Sequence, residues 1–200
     1  NGSFRIYSSM QIAGKSSMMS PDGGEMSCHQ HGGMNAQMQE QATPAPDSFI
    51  HALKPVYAAY FQMQESLAAD DPDGYRQGAR DLRTALGLVG EAGLVGPPLA
   101  TWRRLRAQLN SEDTSTDIAA ARAHFETTSK AIIELAHTFG HHGSQAWRLA
   151  YCPMAFDNVG AEWLQRCDEL INPYFGAEML RCGEFRATIL PLHARGGGGE

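Results

Sequence analysis

The sequence predicts a mainly α fold: an antiparallel four-helix bundle with an irregular C-terminal segment packed on it. A flexible linker and the remnant of a β-strand precede the bundle. Three observations carry this. Apolar residues recur at helical spacing from Asp47 to Phe139, Gly- and Pro-rich stretches cut that run into four, and the regular pattern fades after Gly140. Four amphipathic helices with short joints bury their stripes most economically as an antiparallel bundle.

The elements follow in order. Residues 3–12, "SFRIYSSMQI", place Phe4, Ile6 and Ile12 as a short strand would. A lone strand is not stable, so residues 1–20 are expected to be the end of a β domain whose remainder lies outside this chain. Residues 21–46 are rich in Gly, Pro, Gln and small polar residues, with too little apolar content to offset the entropy of ordering, and read as a linker. Asp47 or Ser48 is placed to cap a first helix, with Phe49, Leu53, Val56, Tyr60 and Leu67 on one face, ended by "DDPDG" (70–74). A second helix over 75–89 carries Ala79, Leu82, Leu86 and Val89. Pro97 and Pro98 start a third, with Leu99, Trp102, Leu105 and Leu109. The fourth, over 115–139, carries Ile118, Phe125, Ile132, Leu135 and Phe139 and stops at Gly140.

Beyond Gly140 the segment "HHGSQAWRLAYCPM" reads as extended, with short helical turns over 160–164 and 174–180. Trp147, Trp163, Tyr174 and Phe175 require this segment to lie on the bundle. The helical domain is thus expected over 47–193, and 194–200 as a disordered tail. The chain starts without Met or a charged and apolar leader, so it reads as an excised piece.

Composition excludes some classes of function. A net charge of −6 offers no basic stripe for nucleic acid, and no apolar run is long enough for a membrane span. The four cysteines form no C-x-x-C pair, which weakens a thioredoxin-like or Cys-rich zinc reading. No nucleophile motif or phosphate-cradling loop occurs, so no enzymatic activity is expected.

The sulfur residues are distributed unevenly. Cys152 and Met154 open one segment, and Met179 and Cys182 close it. An extended backbone turns the first pair to one side, and a helical turn puts the second pair on one face. Together they supply up to four soft ligands, which select Cu(I) or Ag(I) over harder divalent ions. Two other readings stand beside this one: buried sulfur as core filling, and a Cys152–Cys182 disulfide in an oxidising compartment. In the linker, Met26, Cys28, His29, His31 and Met34 fall within nine residues where no core explains them, and suit a flexible metal-catching tether. Cys167, His137, His141 and His142 receive no assignment.

The stretch "CPMAFDNVGAEWL…INPYFGAEMLRCGE" resembles the C-terminal motif of a family of periplasmic helical domains, in which C-P-M-A, G-A-x-W-L, N-P-Y-[FY]-G and M-L-x-C-G elements follow one another. The resemblance covers about residues 47–184. These domains occur alone or fused to the C-terminus of adaptor (membrane fusion) proteins of heavy-metal efflux pumps of the resistance-nodulation-division class. "GSFRIYSSMQIAGKSSMMSP" is similar to the last strand of such an adaptor's membrane-proximal domain. The resemblance implies non-catalytic binding and delivery of copper or silver in the periplasm, through the sulfurs of Cys152, Met154, Met179 and Cys182. It implies an inner-membrane pump and other adaptor protomers as partners. Gly160, Trp163, Asn172, Pro173, Tyr174 and Gly176 match framework positions. Tyr151 stands where many relatives have His. The competing expectation is a structural docking module of the adaptor with no metal role, its cysteines in a disulfide or in the core.

Overall fold

The computed structural model describes residues 45–111, 115 and 117–192. The expected strand over 3–12, the linker ligands Met26, Cys28, His29, His31 and Met34, and the tail over 194–200 lie outside the described residues.

The described chain is mainly helical, with a small antiparallel sheet. Five helices come first: α1 (Asp47–Ala52), α2 (Lys54–Ala68), α3 (Pro72–Leu88), α4 (Gly96–Leu109) and α5 (Ile118–Phe139). The three strands are β1 (Trp147–Cys152), β2 (Ala161–Gln165) and β3 (Glu184–Ile189), in the order β2-β1-β3 with antiparallel pairing throughout. The stripes expected from periodicity are core: Phe49, Leu53, Val56, Tyr60, Leu67, Leu82, Leu86, Trp102, Leu105, Phe125, Ile132 and Leu135 are all buried.

Four expectations need correction. The first predicted helix is two, broken at Leu53. Pro55 has no amide for the His51 carbonyl one turn back, and Leu53 N–H turns instead to Ile50 O (3.2 Å). Neither Asp47 nor Ser48 caps α1, which Pro46 precedes. "DDPDG" does more than end a helix. Asp71 caps α3, its Oδ1 accepting the N–H groups of Asp73 (3.1 Å) and Gly74 (3.0 Å), and Pro72 is already helical. Residues 141–154, expected as extended, contain strand β1, but the segment as a whole forms a sheet where irregular chain was expected, and 160–164, expected as a helical turn, is largely strand β2. The three strands form two hydrogen-bonded ladders that share β1, so segments without a clear periodicity satisfy backbone groups in each other.

Buried hydroxyls join sheet to helices. Tyr60 Oη lies 2.8 Å from Ser129 Oγ and accepts Leu164 N–H at 2.9 Å, which links α2, α5 and β2. Ser129 Oγ and Tyr174 Oη both donate to the Glu162 carbonyl, at 3.0 and 2.7 Å. Trp163 and Phe125 each pack on Tyr174, and Trp147 meets Tyr57 and Phe61 edge to face. The N-terminal end of β1 is thus packed on α2, and its C-terminal end carries Cys152.

Candidate functional site

Cys152 is the last residue of β1, and pairing of Tyr151 with Glu184 brings the residues just before β3 alongside it. Cys182 Sγ lies 3.4 Å from Cys152 Sγ, and both are unbridged thiols. Cys152 is fully buried and Cys182 half-buried. The neighbouring Cys152 thiol, and next to it partial burial, raise the Cys182 thiol above its ordinary pKa.

The backbone around Cys182 is shaped by Asn172, which is wholly buried. Its Nδ2 donates to the Cys182 carbonyl (2.8 Å), its Oδ1 accepts Tyr174 N–H (2.8 Å), and its own N–H donates to Leu180 O (2.9 Å). One residue, through its side chain and its backbone N–H, therefore closes the loop from 172 to 182. A second clamp holds the loop to the helices. Asp70 accepts Ala177 N–H (2.8 Å) and Arg122 Nη2 (2.5 Å), while Arg122 Nε donates to Pro173 O (3.0 Å). Gly176 (φ 59°) sits so close that a Cβ would fall 2.1 Å from Asp70 Oδ1, and a Cβ on Gly183 (φ 135°) would fall 2.7 Å from Tyr151 O. Both glycines of the motif are required by close approach.

The methionines stand apart from the thiols in environment. Met154 is not extended (φ −89°, ψ −13°) and is 48% exposed, unlike the buried Cys152, so the expected common side of Cys152 and Met154 does not form. Pro153 ends the strand between them. Met179 and Cys182 are joined by a turn, Cys182 N–H donating to Met179 O (3.0 Å), and not by a helix. Met154 and Met179 do line one cavity of about 630 Å³, with Arg122, Phe156, Tyr174 and Phe175. The structure thus brings the two thiols into contact and the two thioethers onto one cavity.

That cavity is edged by a strained turn. Phe156, Asp157 and Asn158 all have left-handed backbones (φ 51°, 55° and 68°). Asp and Asn tolerate this region, whereas Phe156 costs about 1–2 kcal/mol there. Gly160 N–H to Ala155 O (2.9 Å) and the Phe156 ring on Tyr174 hold the turn. Such strain gathers at functional sites.

Tyr151 is turned to other partners. The Arg186 guanidinium lies 3.3 Å from its ring centre, and Gly160 lies flush on the same ring. Cys167 is exposed.

Sequence reasoning left His141 and His142 unassigned. His141 is buried and stacked on Trp147 at 3.6 Å; its Nδ1 accepts Gly143 N–H (3.0 Å) and its Nε2 lies 3.2 Å from Ile189 O. His142 instead reaches Asp47 and His51, beyond the opposite end of β1 from the thiols. No spacing in the sequence announces a group drawn from residues 47, 51 and 142.

A family model described as a protein of unknown function (DUF3347) matches residues 56–144, from α2 to the residues after His142. The matched stretch ends before β1 and includes none of the four sulfur residues. No curated protein and no solved structure matches the chain.

Proposed function

We propose that the chain binds Cu(I) or Ag(I) without catalysis and delivers it within a periplasmic heavy-metal efflux adaptor. The carrying observation is the contact of two unbridged thiols, Cys152 and Cys182, at 3.4 Å. Metal–sulfur bonds of about 2.3 Å put the sulfurs of a tetrahedral site about 3.8 Å apart and those of a linear pair about 4.6 Å apart. The metal-free separation of 3.4 Å is shorter than either, so the pair opens slightly on binding, and any coordination above two needs ligands beyond the two thiols. Met154 and Met179, on a shared cavity, are the residues we assign to that task. The helices α2–α5 serve as a four-helix antiparallel bundle that carries the site. The pump and neighbouring adaptor protomers are the receivers of the ion, reached by exchange of soft sulfur ligands. The residues Met26, Cys28, His29, His31 and Met34 gather metal ahead of the folded site.

An anaerobic Cu(I) competition titration on the whole chain tests this. Cys152→Ser or Cys182→Ser is expected to lower affinity on the order of a hundredfold, and Cys167→Ser to leave it unchanged. Equal losses in all three, or no loss, would sink the assignment.

The same 3.4 Å contact favours one second reading. A disulfide needs about 2.05 Å, a short closure from this geometry, and would make the segment a structural docking module with no metal role. Thiol counting on protein purified without reductant and then denatured separates them: Cys152 and Cys182 both unavailable would support the structural module.

A further inference from the structure

We propose that Asp47, His51 and His142 form a second metal site, built for a first-row divalent ion, with Zn(II) the best fit. The three side chains each offer one ligand atom, and these atoms all lie within 4.8 Å of one another. His142 Nε2 is 2.7 Å from Asp47 Oδ1, and His51 Nε2 is 3.5 Å from Asp47 Oδ2. The two imidazoles stack at 4.1 Å with planes 16° apart, and their Nε2 atoms meet the two oxygens of one carboxylate. A tetrahedral zinc site with bonds of about 2.1 Å needs ligand atoms about 3.4 Å apart. The separations here bracket that value, from 2.7 Å to no more than 4.8 Å, and Asp47 and His51 are exposed enough to adjust by rotation.

The backbone prepares the arrangement. Asp47 and His51 lie one turn apart on α1, on one face. His142 is set by its neighbour: His141 is fixed by the Trp147 stack and by hydrogen bonds to Gly143 and Ile189. His142 itself is one-fifth exposed, so its ring is partly held. Two imidazoles and a carboxylate suit Zn(II), Ni(II) or Cu(II), whereas paired sulfurs favour a soft ion, so the two sites prefer different metals. Three protein ligands leave a fourth position for water or a group from another molecule. On binding, each imidazole gives its Nε2 lone pair to the ion and carries its proton on Nδ1. The ion ties the first helix to the segment that follows α5.

The test is thermal unfolding of the whole chain titrated with Zn(II). An ion that binds the folded state alone raises Tm, whereas one held equally by folded and unfolded chain does not. The rise is expected in the wild type and in Cys152→Ser. It is expected to disappear in His142→Ala and to shrink in His51→Ala and Asp47→Ala. His142→Ala and His51→Ala both keeping the full rise would overturn the site. A second readout guards against effects on folding. In the wild type, the His51 and His142 ring protons should shift together at one equivalent of Zn(II). Shifts confined to other histidines would equally overturn it. Zn(II) on these residues and Cu(I) on the thiols are separate measurements, so either reading can fail alone.

Discussion

The Asp70 carboxylate accepts the backbone N–H of Ala177 at 2.8 Å, across 107 residues of sequence. This bond first, and the Arg122 guanidinium after it, hold the Asp70 pKa below the ordinary carboxylate range. A depressed folded-state pKa stabilises above the unfolded value and is lost as pH falls through the folded one. The denaturation midpoint is therefore expected to fall as pH is lowered below about 4, and Asp70→Asn to flatten part of that fall. Urea titrations between neutral pH and the acid limit measure it.

The loop between Asn172 and Cys182 should be sensitive to single atoms. Asn172→Ala leaves the Cys182 carbonyl and the Tyr174 amide without their partner, at a cost of about 2–3 kcal/mol. Gly176→Ala drives a methyl into Asp70 at a positive φ, with a loss of about 1–3 kcal/mol. Chemical denaturation reads both. Neither residue offers a sulfur, so any loss of Cu(I) affinity in the folded variants reports on the placement of Cys182.

Proton release should govern soft-metal binding. Cys182 holds its proton more tightly than an ordinary thiol, because of the thiol beside it. Below the thiol range, apparent Cu(I) affinity should climb about tenfold per pH unit for each proton displaced. The metal-free chain should show the opposite trend in stability: a raised folded pKa contributes below the unfolded thiol value, about 8.5, and is lost as pH rises through the folded one. Titrations in a pH series, with and without metal, check both signs.

Tyr151→His is expected to leave Cu(I) affinity within about threefold of the wild type, a change below about 0.7 kcal/mol. The side chain at 151 meets Arg186 and Gly160, so an imidazole there has no path to the thiols without repacking that contact. A large gain in affinity would show that the strand end reorients when metal binds.

The helices were legible because their apolar residues repeat at 3.6, and Leu82, Trp102 and Phe125 all went where that period sent them. The break at Leu53 was hidden, since the stripe continues unbroken across it, although Pro55 was there to be read. The sheet was less visible for a different reason. Strand β2 is buried at four of its five positions and β3 exposed at five of six, so neither alternates. The approach of Cys152 to Cys182 depends on the β1–β3 register, so the spacing of the sulfurs could suggest that the two cysteines meet but not how. The stacking of His51 on His142, across 91 positions, leaves no local trace at all.

Strand β3 is an edge strand with almost no buried surface of its own, held to β1 through its backbone ladder. Cys182, two residues before it, stands across from the fully buried Cys152 on the central strand. Whatever joins those sulfurs, an ion or a covalent bond, staples the outermost ribbon of the sheet to its middle. Occupancy of the site would then be written in the exchange rates of the amides from Glu184 to Ile189, slow when bridged and fast when open. A partner that lifted this edge would loosen one sulfur while leaving the other seated, and the motion of a single ribbon would serve as the release step.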